Sequence, residues 1–164
     1  MELARKAQID FYFDYRAPDN TQLDFFELVR DKLVVIARKG HPAIRKHLTK
    51  KQYLAARHIV YTHSRHHVGG IENMYGADQG ITRDVVVEVQ QVLAVPQLVM
   101  QSNGIATVPQ RLARYFTANY GLDVHPFPFD VGEIPAYMIW HRSLNRDLGH
   151  QWMKQQISGG SGSI

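Results

Sequence analysis

The densest chemistry in this 164-residue chain is "HSRHH" at 63–67. His63, His66 and His67 stand at helical i, i+3 and i+4, a spacing that can bring imidazoles together around a transition metal. No Glu or Cys accompanies them, and the other histidines are scattered through unrelated segments. The cluster therefore reads as a surface or cleft-edge group without metal, pH-sensitive because imidazole titrates near neutrality. Asp14, Asp84 and Glu88 are isolated in sequence and form no evident acid/base pair. The absence of cysteine excludes disulfides, thiol catalysis and thiolate metal sites. "GIENMYG" is not a phosphate loop, and no G-x-S-x-G nucleophile elbow occurs. An enzyme is not expected, nor is a cofactor. One polar stretch remains, "QSNG" at 101–104, lodged between the apolar runs "VLAVPQLVM" and "IATV". A polar plug adds little to a core, so Ser102 and Asn103 read either as ligand contacts or as an Asx-type turn. Gly104 permits a tight backbone or a close approach.

The elements that must position these residues alternate. Ile9, Phe11, Phe13 and Tyr15 recur at period two, a strand signal. "KLVVIA" (32–37) is a continuous apolar run of the kind buried on both faces of a parallel sheet. Further strands are predicted at 57–62, 83–89, 105–108, 123–129 and 136–141. Helices are predicted at 48–56 with Thr49 as N-cap, weakly at 68–76, at 91–100, at 109–120 between Pro109 and Gly121, and at 146–157. "SGGSGSI" is a flexible tail or linker. Alternating strands and helices argue an α/β fold with a parallel or mixed sheet. An apolar fraction of 45% suits a real core, and no apolar run approaches the roughly 20 residues of a bilayer span. With no signal peptide in "MELARKAQIDF", a cytoplasmic chain is expected. The net charge of +4 is spread along the chain and says little about partners, with "RKHLTKKQ" (45–52) read as a solvated face.

"LARKAQIDFYFDY", "LVRDKLVVIARKGHP", "LTKKQYLAARHIVY", "QSNGIATVPQRLARYF" and "YMIWHRSLNRDLGHQWMKQQI" follow one another at a spacing that resembles the effector-binding domains of LysR-type transcriptional regulators. The run "WH…RDxGHQWM" (140–153) looks most like the LeuO-type branch. The resemblance implies a type 2 periplasmic-binding-protein-like fold of two α/β lobes. Residues 1–36 and 133–157 would form a partial first lobe and 37–132 the second, leaving 158–164 as tail. It also implies that the first lobe is truncated at its N-terminus and that the DNA-reading helix-turn-helix is missing.

In open α/β sheets ligands lie outside the carboxyl ends of strands, and the resemblance places "QSNG" at the mouth between lobes. Residues following strands complete the candidate set: Tyr15 and Arg16, His63 and Ser64, and Gln90 and Gln91, alongside Ser102, Asn103 and Gly104. Arg16 suits a carboxylate, and the two glutamines open a helix whose positive end favours an anion. The expected partners are a small-molecule effector, with a carboxylate as one candidate, and further copies of the chain in a dimer or tetramer. DNA is expected only through the missing domain, and no membrane is expected. The alternative is a ligand-independent interaction or oligomerisation module of such a regulator.

Overall fold

The computed structural model describes residues 9–45, 47–62 and 82–160. The chain divides into two units, residues 1–31 with 134–164 and residues 32–133. The boundary expected after residue 36 falls earlier because the strand that begins at Leu33 pairs entirely within the second unit.

The first unit is a three-stranded antiparallel sheet with a long helix. Its strands are β1 (Tyr12–Asp14), β2 (Leu23–Asp31) and β8 (Ile134–His141), in the order β1-β8-β2. The predicted strand at 9–15 keeps only three residues. β2 was not anticipated: "LDFFELVRD" shows no clean alternation because a bulge between Glu27 and Val29 shifts its register. Helix α4 (Leu148–Gly160) follows a short 3₁₀ turn at Arg142–Arg146. A polar hub ties these pieces together. The Trp140 Nε1–H donates to Asn145 Oδ1 at 2.7 Å, and the Asn145 amide donates to Asp24 Oδ2 at 2.6 Å. Arg142 reaches Asp24 Oδ1 at 3.0 Å, and Lys154 lies 4.5 Å over the Trp140 ring. The Asn145 hydrogen bond, then Arg142, holds the Asp24 carboxyl below its usual range.

The second unit is a five-stranded mixed sheet in the order β5-β4-β6-β3-β7. Its strands are β3 (Leu33–Ala37), β4 (Arg57–Tyr61), β5 (Asp84–Val89), β6 (Gly104–Pro109) and β7 (Asp123–Pro126). Its helices are α1 (Lys50–Ala55), α2 (Val95–Met100) and α3 (Gln110–Tyr120). β3 is buried throughout, as its apolar run requires, yet it runs antiparallel to both neighbours. Burial on both faces, rather than parallel pairing, is what that run encodes. One core layer gathers Ile36, Ile59, Val99, Val108 and Phe116 beneath α2 and α3. The other gathers Val35, Ile44, Leu48, Tyr53 and Ile105 beneath α1. Thr49 caps α1 in a reciprocal capping box with Gln52. Gly121 closes α3 at φ 62°, a left-handed position that suits glycine. Pro109 is the last strand residue and the cap, so α3 starts one residue later than expected. Among the described residues no helix is long and apolar enough to cross a membrane.

Candidate functional site

β4 runs parallel to both β5 and β6, so the carboxyl ends of these three strands share one edge of the second unit. At that edge the Thr62 N–H donates to the Val89 carbonyl at 2.9 Å, extending the β4–β5 pairing. Thr62 is buried, and its Oγ1 has no hydrogen-bond partner among the described residues. A buried hydroxyl left unpaired costs about 1–3 kcal/mol, which sets this position apart from the rest of the edge. Beside it, β6 ends at Pro109 and α3 opens without a side-chain cap. The Gln110 N–H is taken by the Lys32 carbonyl at 2.8 Å; the first-turn amides of a helix have no partners within the helix itself. Around the same corner Lys32, Gln110, Phe127, Phe129, Asp130 and Glu133 line an open groove of about 620 Å³.

Behind the edge the sheet carries a neutral, buried polar pair. His58 Nε2 lies 2.8 Å from the Tyr53 carbonyl, so it must be the protonated nitrogen. Burial lowers the His58 pKa to about 4. Burial also raises the Tyr53 phenol, whose hydroxyl meets Thr107 Oγ1 at 2.9 Å. These groups carry no charge at neutral pH.

Within the second unit the described candidates stand at opposite ends of the sheet. Gln90 and Gln91 stand exposed at the carboxyl end of β5. They precede a 3₁₀ turn at Val92–Ala94 and the six-residue α2, so the helix-dipole argument for an anion there is weak. His63 and Ser64, like the rest of "HSRHH" and the weak helix at 68–76, lie outside the described residues. Tyr15 and Arg16 belong to the first unit. Tyr15 is half-buried, and Arg16 is exposed with its N–H given to Asp14 Oδ1 at 3.2 Å.

Ser102, Asn103 and Gly104 stand at the amino end of β6, in register with Arg57 at the start of β4. The carboxyl-end geometry that nominates the other strand-end residues therefore does not apply to them. Ser102 Oγ donates to the Leu98 carbonyl at 2.7 Å and accepts from the Gly104 N–H at 3.0 Å, closing α2 onto β6. Asn103 Oδ1 accepts from Arg38 Nε at 2.9 Å, and the Asn103 carbonyl lies 2.9 Å from His41 Nε2. A Cβ on Gly104 would come within 2.7 Å of Ile59 Cδ1, so the close approach it permits is to the core. None of the seven candidates among the described residues lines the open groove. Thr62 and the β6–α3 junction were missed, although "HIVYT" and "TVPQ" mark both strand ends in the sequence.

A family model described as the LysR substrate binding domain matches residues 1–160. The chain belongs to that family. The HTH-type transcriptional activator NahR of Pseudomonas putida is 32% identical over 138 residues, covering 83% of this chain and 46% of NahR. The HTH-type transcriptional regulator LeuO of Escherichia coli K12 is 27% identical over 146 residues, covering 89% and 45%. LeuO thus stands among the relatives, as the tail motif suggested. The crystal structure of the probable transcriptional regulator PA0477 from Pseudomonas aeruginosa superposes with a TM-score of 0.84 at 28% identity, covering 96% of this chain and 52% of that one. The effector-binding domain of QuiR in complex with shikimate superposes with a TM-score of 0.76 at 16% identity, covering 98% and 76%. The LysR domain described above, mixed α/β and periplasmic-binding-protein-like, spans about half the length of the curated relatives it matches.

Proposed function

We propose that this chain is the effector-sensing part of a LysR-type transcriptional regulator and that its second unit binds a small polar molecule at the shared carboxyl edge of β4, β5 and β6. The buried Oγ1 of Thr62, without a hydrogen-bond partner among the described residues, carries the reading. Gln90 and Gln91 supply exposed amides beside it, and the opening turn of α3 supplies backbone donors. The effector-binding domain of QuiR, which has this fold, is known in complex with shikimate, which makes small hydroxylated carboxylates the first class to test. Effector binding would bias one conformation of the domain over another, and DNA-binding segments of the full regulator would read that bias. Oligomer formation would carry the bias between copies.

The test is a thermal-shift panel of small carboxylates and their amides on the 164-residue chain. A ligand at one hundred times its Kd stabilises the chain by about 2.7 kcal/mol, a shift of several degrees. Arg16→Ala is a separate arm: a loss confined to carboxylates assigns its guanidinium to the ligand, and an unchanged response removes it. A flat panel favours the ligand-independent interaction module. The exposed side chains of Phe13, Leu148 and Trp152 on the first unit are the observation that supports that second reading.

A further inference from the structure

Counted by segment, the net charge of +4 proves concentrated, contrary to the even spread expected from the sequence as a whole. Residues 38–57, "RKGHPAIRKHLTKKQYLAAR", hold seven of the nineteen Lys and Arg and none of the fifteen Asp and Glu. The other twelve cations against fifteen carboxylates leave the rest of the chain at −3, so this segment holds all of the positive excess.

The structure places the described charges of this segment at the surface. The segment wraps one core layer of the second unit with Ile44, Leu48 and Tyr53 turned inward. The same path leaves Lys39, Arg45, Lys50, Lys51 and Arg57 exposed. Arg38 is fixed in place. Its Nε donates to Asn103, and its Nη1 donates to the carbonyls of Lys39 at 3.2 Å and Gly40 at 3.4 Å. Asp84 stands in register with Arg57, and Asp123 with Ala37. Among the described residues neither carboxylate forms an ion pair with the basic segment.

We propose that this basic face of the second unit docks on the phosphate backbone of duplex DNA, independently of base sequence. The composition favours a duplex over other polyanions. A protein partner would need an apolar or aromatic anchor. The single aromatic in the segment, Tyr53, is buried completely, and Leu54 is the one large apolar side chain exposed. Single strands need aromatic platforms for base stacking, and those are missing for the same reason. What remains is a field of lysines and arginines, the chemistry that neutralises phosphates. The QSNG turn then has a task, since Asn103 positions Arg38 within this face. The inference does not depend on the effector site, which lies at the opposite end of β4 and β6.

The experiment is fluorescence anisotropy of an arbitrary-sequence duplex with the 164-residue chain across a salt series. The parent should bind at 50 mM salt with affinity falling steeply as salt rises. Arg45→Ala/Lys51→Ala/Arg57→Ala should lose roughly tenfold in affinity and reduce the log–log salt slope by about 2.7, near 0.9 per lost phosphate contact. Arg111→Ala/Arg114→Ala/Arg146→Ala, with the same change of net charge, should stay within about twofold of the parent in affinity. Equal losses in the two triple variants would overturn the proposal, because net charge alone would then explain binding. No binding at 50 mM salt would overturn it as well. Tighter binding of polyglutamate than of the duplex, at matched charge, would replace DNA with an acidic protein.

Discussion

The two units build their cores in different ways. The second sets two layers of buried side chains on the two sides of β3, with Val35, Ile36 and Phe116 fully enclosed. Among the described residues the first gathers a smaller cluster around Leu23 and Ile139, with Ile134 and Met138 also buried, while Phe13, Phe25, Phe26 and Trp152 remain about half exposed. Beside that cluster the first unit carries the polar hub of Asp24, Asn145, Trp140 and Arg142. Apolar burial scales with area, whereas a polar hub contributes little net stability until one member is removed. The two units should therefore fail under different perturbations.

The largest contrast is expected from aromatic truncation. Phe116→Ala should cost the second unit about 3–5 kcal/mol, through lost transfer energy and the cavity left behind. Phe26→Ala should change stability by no more than about 0.5 kcal/mol, as an exposed position does. Urea unfolding followed by a probe in each unit measures both, and equal effects would break the contrast.

Acid should separate the units next. His58 is neutral in the folded second unit, with a pKa of about 4 against 6.5 when exposed. Its contribution is fully present above pH 6.5 and is lost as pH falls from 6.5 toward 4, by roughly 3 kcal/mol at most. Asp24 in the first unit is held below 3.8, so its contribution persists until the pH falls below that value. Between pH 6 and 4.5 the second unit should lose stability first. His58→Gln should flatten that dependence while leaving the acid limb of the first unit unchanged.

A smaller effect tests the hub. Asn145→Ala leaves the indole N–H of the buried Trp140 without its acceptor and should cost the first unit about 1–3 kcal/mol. The same change should leave the second unit unaffected. A Trp140 fluorescence shift at lower urea, with the second unit's midpoint fixed, is the expected signature.

The sequence disclosed the elements of the second unit better than those of the first, for physical reasons. β3 and β4 are buried, so their apolar runs are uninterrupted, and Thr49 and Gly121 fill their capping positions openly. β2 hides because a bulge breaks its alternation and both faces are partly wet. The hub joins residues as far apart as Asp24 and Asn145, a pairing no local pattern predicts. The QSNG turn was legible as a special feature, but not its side of the sheet, since that depends on β6 running parallel to β4. Thr62 escaped notice because an unsatisfied hydroxyl exists only once the strand is buried.

The effector should meet the carboxyl edge rather than the QSNG turn. Calorimetric titration of the strongest ligand from the carboxylate panel into Thr62→Val, Gln91→Ala and Ser102→Ala compares them directly. Loss of one hydrogen bond is worth about 0.5–1.5 kcal/mol, or roughly two- to tenfold in Kd. Thr62→Val and Gln91→Ala should each weaken binding by that factor, whereas Ser102→Ala should lower the melting temperature and leave Kd unchanged. Weaker binding in Ser102→Ala, with parent-like affinity in the other two, would contradict the account and return the site to the turn.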